Sequence, residues 1–375
     1  MKAAYIHIPF CEHICHYCDF NKVFLKGQPV DEYVQSLIKE FEIVNNETPI
    51  QQIETIFVGG GTPTALNEQQ LETLCKGIRS YLPFSDGEFT FEANPGDLST
   101  EKLKILAEYG VNRISFGVQS FNDELLAKIG RSHRVKDVYS SLEKAAQCGF
   151  TNISIDLIYA LPGQTLDDFN ATLKEAIALK LPHYSSYSLI VEPKTVFYNL
   201  MRKGKLSLPN EDVEAEMYKL LMAEMEKNGL DQYEISNFSK PGFESKHNLV
   251  YWNNEEYFGF GAGAHGYIND IRYSNAGPLK KYMVPISEGK RPIFDQNKIT
   301  KKEKMEEEMF LGLRKIKGVQ ISHFYKKYNE DVMEIFKKPI HEMMNRGLLT
   351  VNDGYLLLTN RGKLLGNEVF QAFLL

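Results

Sequence analysis

Apolar and polar positions along this chain follow two rhythms. Short runs of β-branched, aromatic and aliphatic residues occur at 3–9, 54–58, 88–93, 113–118, 152–159 and 184–191. Runs of this length and composition predict strands. Between them, apolar residues recur every three or four positions over 30–44, 68–82, 100–109, 135–148 and 166–179, the spacing of amphipathic helices. A parallel strand needs a crossover to bring the chain back to the same end of the sheet, and a helix is the usual one. Strand and helix alternating in this way predict an α/β fold, an open, partial (β/α)6 barrel over residues 1–190.

The pattern changes after that. Residues 191–300 are less regular and read as an extension flanking the barrel. One clear helix lies at 211–228, with Val213, Met217, Leu220, Leu221 and Met225 on one face and Gly229 as its stop. Its methionines are expected in the core. Residues 301–375 form a small C-terminal domain, with helical patterns at 304–316, 321–328 and 331–346. A hairpin follows at 348–358, turning at Asn352-Asp353-Gly354, and then a last helix. Helices followed by a hairpin suggest a winged-helix-like shape, which does not by itself imply DNA binding.

Composition narrows the function classes. With 43% hydrophobic and 25% charged residues the chain reads as an ordinary globular protein. A net charge of −6 argues against nucleic acid or an anionic membrane as the main partner. No apolar run approaches the roughly 18 residues of a membrane span. The N-terminal MKAAYIHIPFC lacks the regions of a signal peptide, so a cytoplasmic protein is expected. Three of the five cysteines fall within eight residues. That spacing points to a metal site in a reducing compartment and not to a disulfide framework.

Polar residues gather directly after the strands: Cys11 to Cys18, Gly59-Gly60-Gly61-Thr62-Pro63, Glu92, Gln119, Asp156 and Glu192. In parallel α/β folds chemistry collects at those strand ends. Cys11, Cys15 and Cys18 have C-x3-C-x2-C spacing. Three thiolates on one loop can hold three irons of a [4Fe–4S] cubane and leave the fourth open. The open iron can chelate the amino and carboxylate groups of S-adenosylmethionine (SAM), whose carbon–sulfur bond then breaks on electron transfer. The alternative is zinc, with His13, His16 or Asp19 as fourth ligand. Cys75 and Cys148 lie in amphipathic helices and are expected as structural thiols. Glu92 and Asp156 interrupt apolar runs, where a carboxylate is costly unless paired or bound to a ligand. Their plainer alternatives are helix caps, and that of Arg131 is a surface ion pair.

The segment Tyr5-Ile-His-Ile-Pro-Phe-Cys11, the cysteine loop and Gly59-Gly-Gly-Thr-Pro63 together resemble the radical-SAM group of oxygen-independent coproporphyrinogen III oxidases and their HemW relatives. The likeness runs over nearly the whole chain and implies a radical-SAM barrel. It further implies SAM contacts at Tyr5, Tyr17, Gly60, Gly61, Thr62, Glu92, Gln119, Arg131 and Asp156. Two departures favour the HemW, heme-trafficking branch. Phe20 stands where the oxidases carry a fourth cysteine, and only ten residues precede Cys11, where the oxidases have a long extension. His247-Asn248-Leu-Val-Tyr251-Trp252 resembles the HemW His-Asn-x-x-Tyr-Trp motif, which implies heme binding at His247 and Trp252. The resemblance thus implies a heme chaperone with acceptor hemoproteins and a reductant such as flavodoxin or ferredoxin as partners. Coproporphyrinogen oxidase activity in porphyrin biosynthesis is the alternative, expected to be absent, and a zinc-stabilised binding protein is a second.

Overall fold

The strand-and-helix rhythm becomes one open, twelve-stranded sheet in the computed structural model, which describes residues 3–374. Its centre is six parallel strands in sequence order: β1 (Ala3–Ile8), β2 (Ile53–Gly60), β3 (Phe84–Ala93), β4 (Arg113–Gln119), β5 (Asn152–Tyr159) and β6 (His183–Ser188). Consecutive order is that of a barrel, not of a doubly wound sheet, whose strand order reverses midway. The crossovers include α1 (Val30–Glu47), α2 (Glu68–Tyr81), α3 (Thr100–Glu108), α4 (Val135–Gln147) and α5 (Leu166–Ala178). Their starts are chemically marked. Asn67 with Gln70 and Thr165 with Asp168 form capping boxes, and Ser99 accepts from the backbone of Lys102.

Alternation along the strands sorts the two faces. Phe89, Phe91, Ile114, Phe116, Ile153 and Ile155 are fully or almost fully buried in the main hydrophobic core. Their neighbours Glu88, Thr90 and Glu92, then Ser115, Ser154 and Asp156, fall on the other, concave face, with Glu92 beside Ser115 and Ser115 beside Ser154 in register. The result is a polar lumen inside an apolar shell.

The barrel does not close. The region expected to be irregular supplies the remaining six strands: β7 (Asp231–Glu234), β8 (Asn237–Ser239), β9 (Tyr257–Phe260), β10 (His265–Ile268), β11 (Ile271–Asn275) and β12 (Ile293–Lys298). β8 and β7 extend the sheet antiparallel beyond β6, and β9 pairs parallel with β1 on the other side. β10, β11 and β12 continue antiparallel to that edge. Their shortness hid them: three to six residues give little room for a two-residue period to register.

Two helices of this region matter below. α6 (Glu211–Lys227) buries Met217, Leu221 and Met225, as its pattern predicts. α7 (Lys246–Trp252) sits over the amino-terminal half of the lumen. There the Glu88 carboxylate accepts from the backbone of Lys246 at 3.0 Å and of His247 at 3.1 Å. A carboxylate from the sheet thus caps a helix start, where the dipole favours negative charge.

The C-terminal helices and hairpin have their own hydrophobic cluster, built on Met309, Phe324, Phe336, Ile340, Leu356 and Phe373. The hairpin pairs Leu349–Asn352 with Tyr355–Leu358, and Asp353 (φ 47°) and Gly354 (φ 79°) both take the left-handed turn that Asp-Gly favours. The pattern at 331–346 splits into Val332–Ile335 and Lys337–Asn345. Pro339 has no N–H to bond back across that junction.

Candidate metal and cofactor site

The cysteine loop begins where β1 ends. A short ladder closes its base: Val23 donates to the Pro9 carbonyl at 2.8 Å and Leu25 to the Cys11 carbonyl at 2.9 Å. Distant segments fix the rest. His16 donates through its backbone to Ile129 O at 3.0 Å and through Nδ1 to Lys128 O at 2.9 Å, and its own carbonyl accepts from Phe197 at 3.0 Å. His16, one of the histidines weighed as a zinc ligand, is thus a strut of the loop. Asn21 Nδ2 donates to Ala262 O at 2.8 Å and to Gly277 O at 3.0 Å.

The loop covers a cavity of about 400 Å³ at the carboxyl ends of the central strands. Cys11, Cys15 and Cys18 line it together with Tyr17. Gly60, Gly61 and Thr62 form a second wall after β2, and Glu92 reaches in from β3. Gln119, Arg131 and Asp156 complete it from β4, the loop beyond it and β5. Phe20 stands at the rim, 63% exposed. Two larger grooves, of about 880 and 800 Å³, lie against the C-terminal domain and contain none of these residues. Their walls mix charged, polar and apolar side chains, without a thiol.

Electrostatics make the cavity receptive to positive charge. Burial, then the nearby Asp156, lifts the Glu92 carboxyl to about 8, although Gly60 N–H donates to it at 3.0 Å. Burial also raises Asp156, which accepts from Ser115 Oγ at 3.3 Å. Neither carboxylate is a helix cap: one accepts from the glycine loop and the other from a strand serine. A cation between them would favour the ionised form of both. Burial pushes Cys11 up to about 11 and also raises Cys18, so a metal must displace the thiol protons to bind.

Backbone geometry contributes too. Gly60 has φ 113°, and a Cβ there would lie 2.4 Å from the His7 ring. No other residue fits that turn without strain. Gln119 has φ 69°, where β4 loses register with β5. A long side chain in the left-handed region is uncommon, and such strain concentrates at functional sites. Arg131 is not a surface ion pair. Its Nη1 donates to Cys15 Sγ at 3.4 Å and its Nη2 to Asn94 Oδ1 at 2.7 Å.

Three sequence candidates lie outside this cavity. Tyr5 hydrogen-bonds His7 Nδ1 at 2.9 Å and stacks on Phe57, which in turn stacks on His247. His247 is 1% exposed and has both ring nitrogens engaged, Nδ1 with Thr55 Oγ1 at 2.9 Å and Nε2 with the Tyr251 hydroxyl at 2.8 Å. Burial holds the ring neutral, with a pKa near 3. Trp252 has the Arg314 guanidinium over its ring at 4.6 Å. Cys75 is fully buried in α2, as expected of a structural thiol.

Sequence reasoning missed His7, Asn21 and Asn94. His7 lay inside the Tyr5–Cys11 segment and Asn94 follows Glu92 in the same strand-end turn, so both carried a local signal.

Among the described residues no three His, Cys, Asp or Glu side chains converge on one metal-ion position. Three thiols that each take a different iron need not converge. Nor, among the described residues, is any helix long and apolar enough to cross a membrane.

The radical SAM superfamily matches residues 5–176, and the HemN C-terminal domain matches residues 299–365. A Bacillus subtilis protein described as heme chaperone HemW is 56% identical over 376 residues, covering 100% of this chain and 99% of that protein. Its Lactococcus lactis namesake is 50% identical, with 100% and 97% covered, and that of Escherichia coli 34%, with 99% and 98% covered. Among solved structures, the radical SAM enzyme coproporphyrinogen III oxidase (HemN) of Escherichia coli superposes with a TM-score of 0.86. It is 24% identical, with 99% of this chain and 90% of that one covered, a likeness of fold.

Proposed function

Since this chain belongs to the HemW family of heme chaperones, on a radical SAM scaffold, we propose that it binds a [4Fe–4S] cluster and SAM, carries heme as cargo and delivers it to hemoproteins in the cytoplasm. One observation carries the cofactor part: three thiols, a glycine wall and two carboxylates, drawn from separate strand ends, line a single cavity. Cys11, Cys15 and Cys18 hold the cluster. Glu92 and Asp156 take the positive charge of SAM, and Gly60 and Gly61 let backbone approach its methionyl part. Gln119, Arg131 and Tyr17 supply the remaining contacts, with Tyr5 behind them buttressing His7. When bound, the reduced cluster supplies the electron that breaks a carbon–sulfur bond of SAM, and a flavodoxin or ferredoxin supplies that electron in turn. The protein's part is to orient SAM and exclude water.

Heme is the cargo by family membership. His247 is proposed as its axial ligand: Thr55 fixes the ring through Nδ1, the orienting bond that metal-binding histidines ordinarily make. Nε2 would then have to exchange the Tyr251 hydroxyl for iron. His247→Ala should lower heme affinity or shift the Soret band and leave iron–sulfur content unchanged. Heme binding that is indifferent to both His247 and Trp252 would remove this site.

The whole reading is tested by anaerobic incubation of the reduced protein with SAM and, separately, with heme and with coproporphyrinogen III. The expected outcome is heme bound unchanged and no protoporphyrinogen IX at a useful rate. Robust conversion of coproporphyrinogen III would make the protein an oxidase.

A further inference from the structure

Asn94 touches two sides of the thiol set at once. Its Oδ1 accepts from Arg131 Nη2 at 2.7 Å, and Nη1 of the same guanidinium donates to Cys15 Sγ at 3.4 Å. Its Nδ2 donates to Thr62 Oγ1 at 3.0 Å, and that hydroxyl donates to Cys11 Sγ at 3.7 Å. Nδ2 also donates to Asp97 Oδ2 at 3.1 Å. The chemistry at each side is fixed. A guanidinium has donors only, and Thr62 gives its single proton to sulfur and must accept from Asn94. Only an amide meets both demands, because a carboxylate has no donor for Thr62 and would face the Asp97 carboxylate.

We propose that Asn94 is a positioning residue for the cluster: by bridging Thr62 and Arg131 it aims one neutral and one cationic donor at two of the three cysteine sulfurs, and so raises the cluster's reduction potential. The inference rests on the reading that these thiols hold a [4Fe–4S] group. Hydrogen bonds to cluster sulfurs are among the levers that set its potential. Donors and positive charge stabilise the added electron. Without Asn94, Thr62 loses its donor and Arg131 Nη2 keeps only the Gly117 carbonyl at 2.5 Å, so both donors are less firmly aimed at sulfur and the cluster becomes harder to reduce.

The test uses full-length protein reconstituted anaerobically, without SAM, comparing iron and acid-labile sulfide content and an EPR-monitored redox titration. Asn94→Ala should keep wild-type iron and sulfide and show a lower potential. Thr62→Val should shift it the same way by less. In a Thr62→Val/Arg131→Met background, adding Asn94→Ala should lower it no further. An unshifted potential in Asn94→Ala with a full cluster overturns the inference, and so does a shift of undiminished size in the double background. Should Asn94→Ala fail to hold a cluster, Thr62→Val and Arg131→Met decide: unshifted potentials in both overturn it, lowered ones support it. Wild-type protein without acid-labile sulfide sinks the cluster reading itself. A wild-type cluster indifferent to Asn94 sinks this inference alone.

Discussion

Glu92 and the three loop cysteines have separable roles at the scale of single residues. Glu92 accepts from Gly60 and makes no contact with a thiol among its hydrogen bonds. A charge-assisted bond to a ligand contributes roughly 1.5–3 kcal/mol, so Glu92→Ala should weaken SAM binding about ten- to a hundred-fold. Iron content should stay near normal, and equilibrium binding to the anaerobic protein measures both. Unchanged affinity would take Glu92 out of the site. Cys15→Ala should abolish iron and sulfide uptake, because only two of the three proposed thiolate ligands would remain. Cys75→Ala should leave uptake intact, since that thiol is buried in α2. Iron loss from Cys75→Ala with the fold preserved would contradict the assignment.

Elements are tied together by a buried carboxylate that no motif announced. Glu40 on α1 is 1% exposed and accepts from Gly261 N at 2.8 Å, Asn275 Nδ2 at 2.6 Å and the Tyr282 hydroxyl at 2.6 Å. Tyr33, about two helical turns before it, donates to the His7 carbonyl at 2.8 Å and accepts from Ala262 N at 3.0 Å. His7 in turn bonds the Asn21 carbonyl at 2.7 Å, within the cysteine loop. α1, the segment after β9 and the loop therefore form one hydrogen-bonded unit. Gly261, at φ 96°, is required there, since a Cβ would meet the His7 carbonyl at 2.5 Å.

Burial lifts Glu40 from 4.5 to about 7. A raised carboxyl contributes stability that is full below the unfolded value and fades as pH rises through the folded one. The stability gap between wild type and Glu40→Gln should accordingly shrink by about 3 kcal/mol between pH 4.5 and pH 8. Denaturant melts across that range measure it. A gap that widens with pH would mean the carboxylate is held ionised by its three donors.

At the scale of the whole molecule, the C-terminal domain is fastened to the barrel through α7. Arg314 lies over Trp252 at 4.6 Å and over Phe370 at 5.7 Å. Glu307 forms a second tie, pairing with Arg272 of β11 at 2.6 Å. Trp252 is the protein's only tryptophan, so its emission reports on this junction. Arg314→Ala should red-shift that emission and raise its quenching by acrylamide, with iron content unchanged. An unaltered spectrum would show that the stacking does not hold the junction.

The sequence by itself determined the features carried by near neighbours. Six parallel strands were legible because each run is long enough to show its period. The three thiols proposed to hold the cluster were legible as a set because Cys11, Cys15 and Cys18 lie within one loop. Glu92 and Asp156 stood out as charges inside apolar runs, and the Asp353-Gly354 turn followed from the backbone freedom of those residues. Tertiary structure decided the rest. It set the edge of the sheet, because β9 pairs with β1 although Ala3 and its partner Tyr257 are far apart in the chain. It turned His16 into a strut and placed Arg131 on Cys15. It also buried His247 between Thr55 and Tyr251, where the resemblance implied heme binding. The partners of Asn94, Asn21 and Glu40 were invisible for one physical reason. Local patterns record which face a residue is on, whereas hydrogen bonds between groups 30 to 240 positions apart exist only once the sheet has brought those faces together.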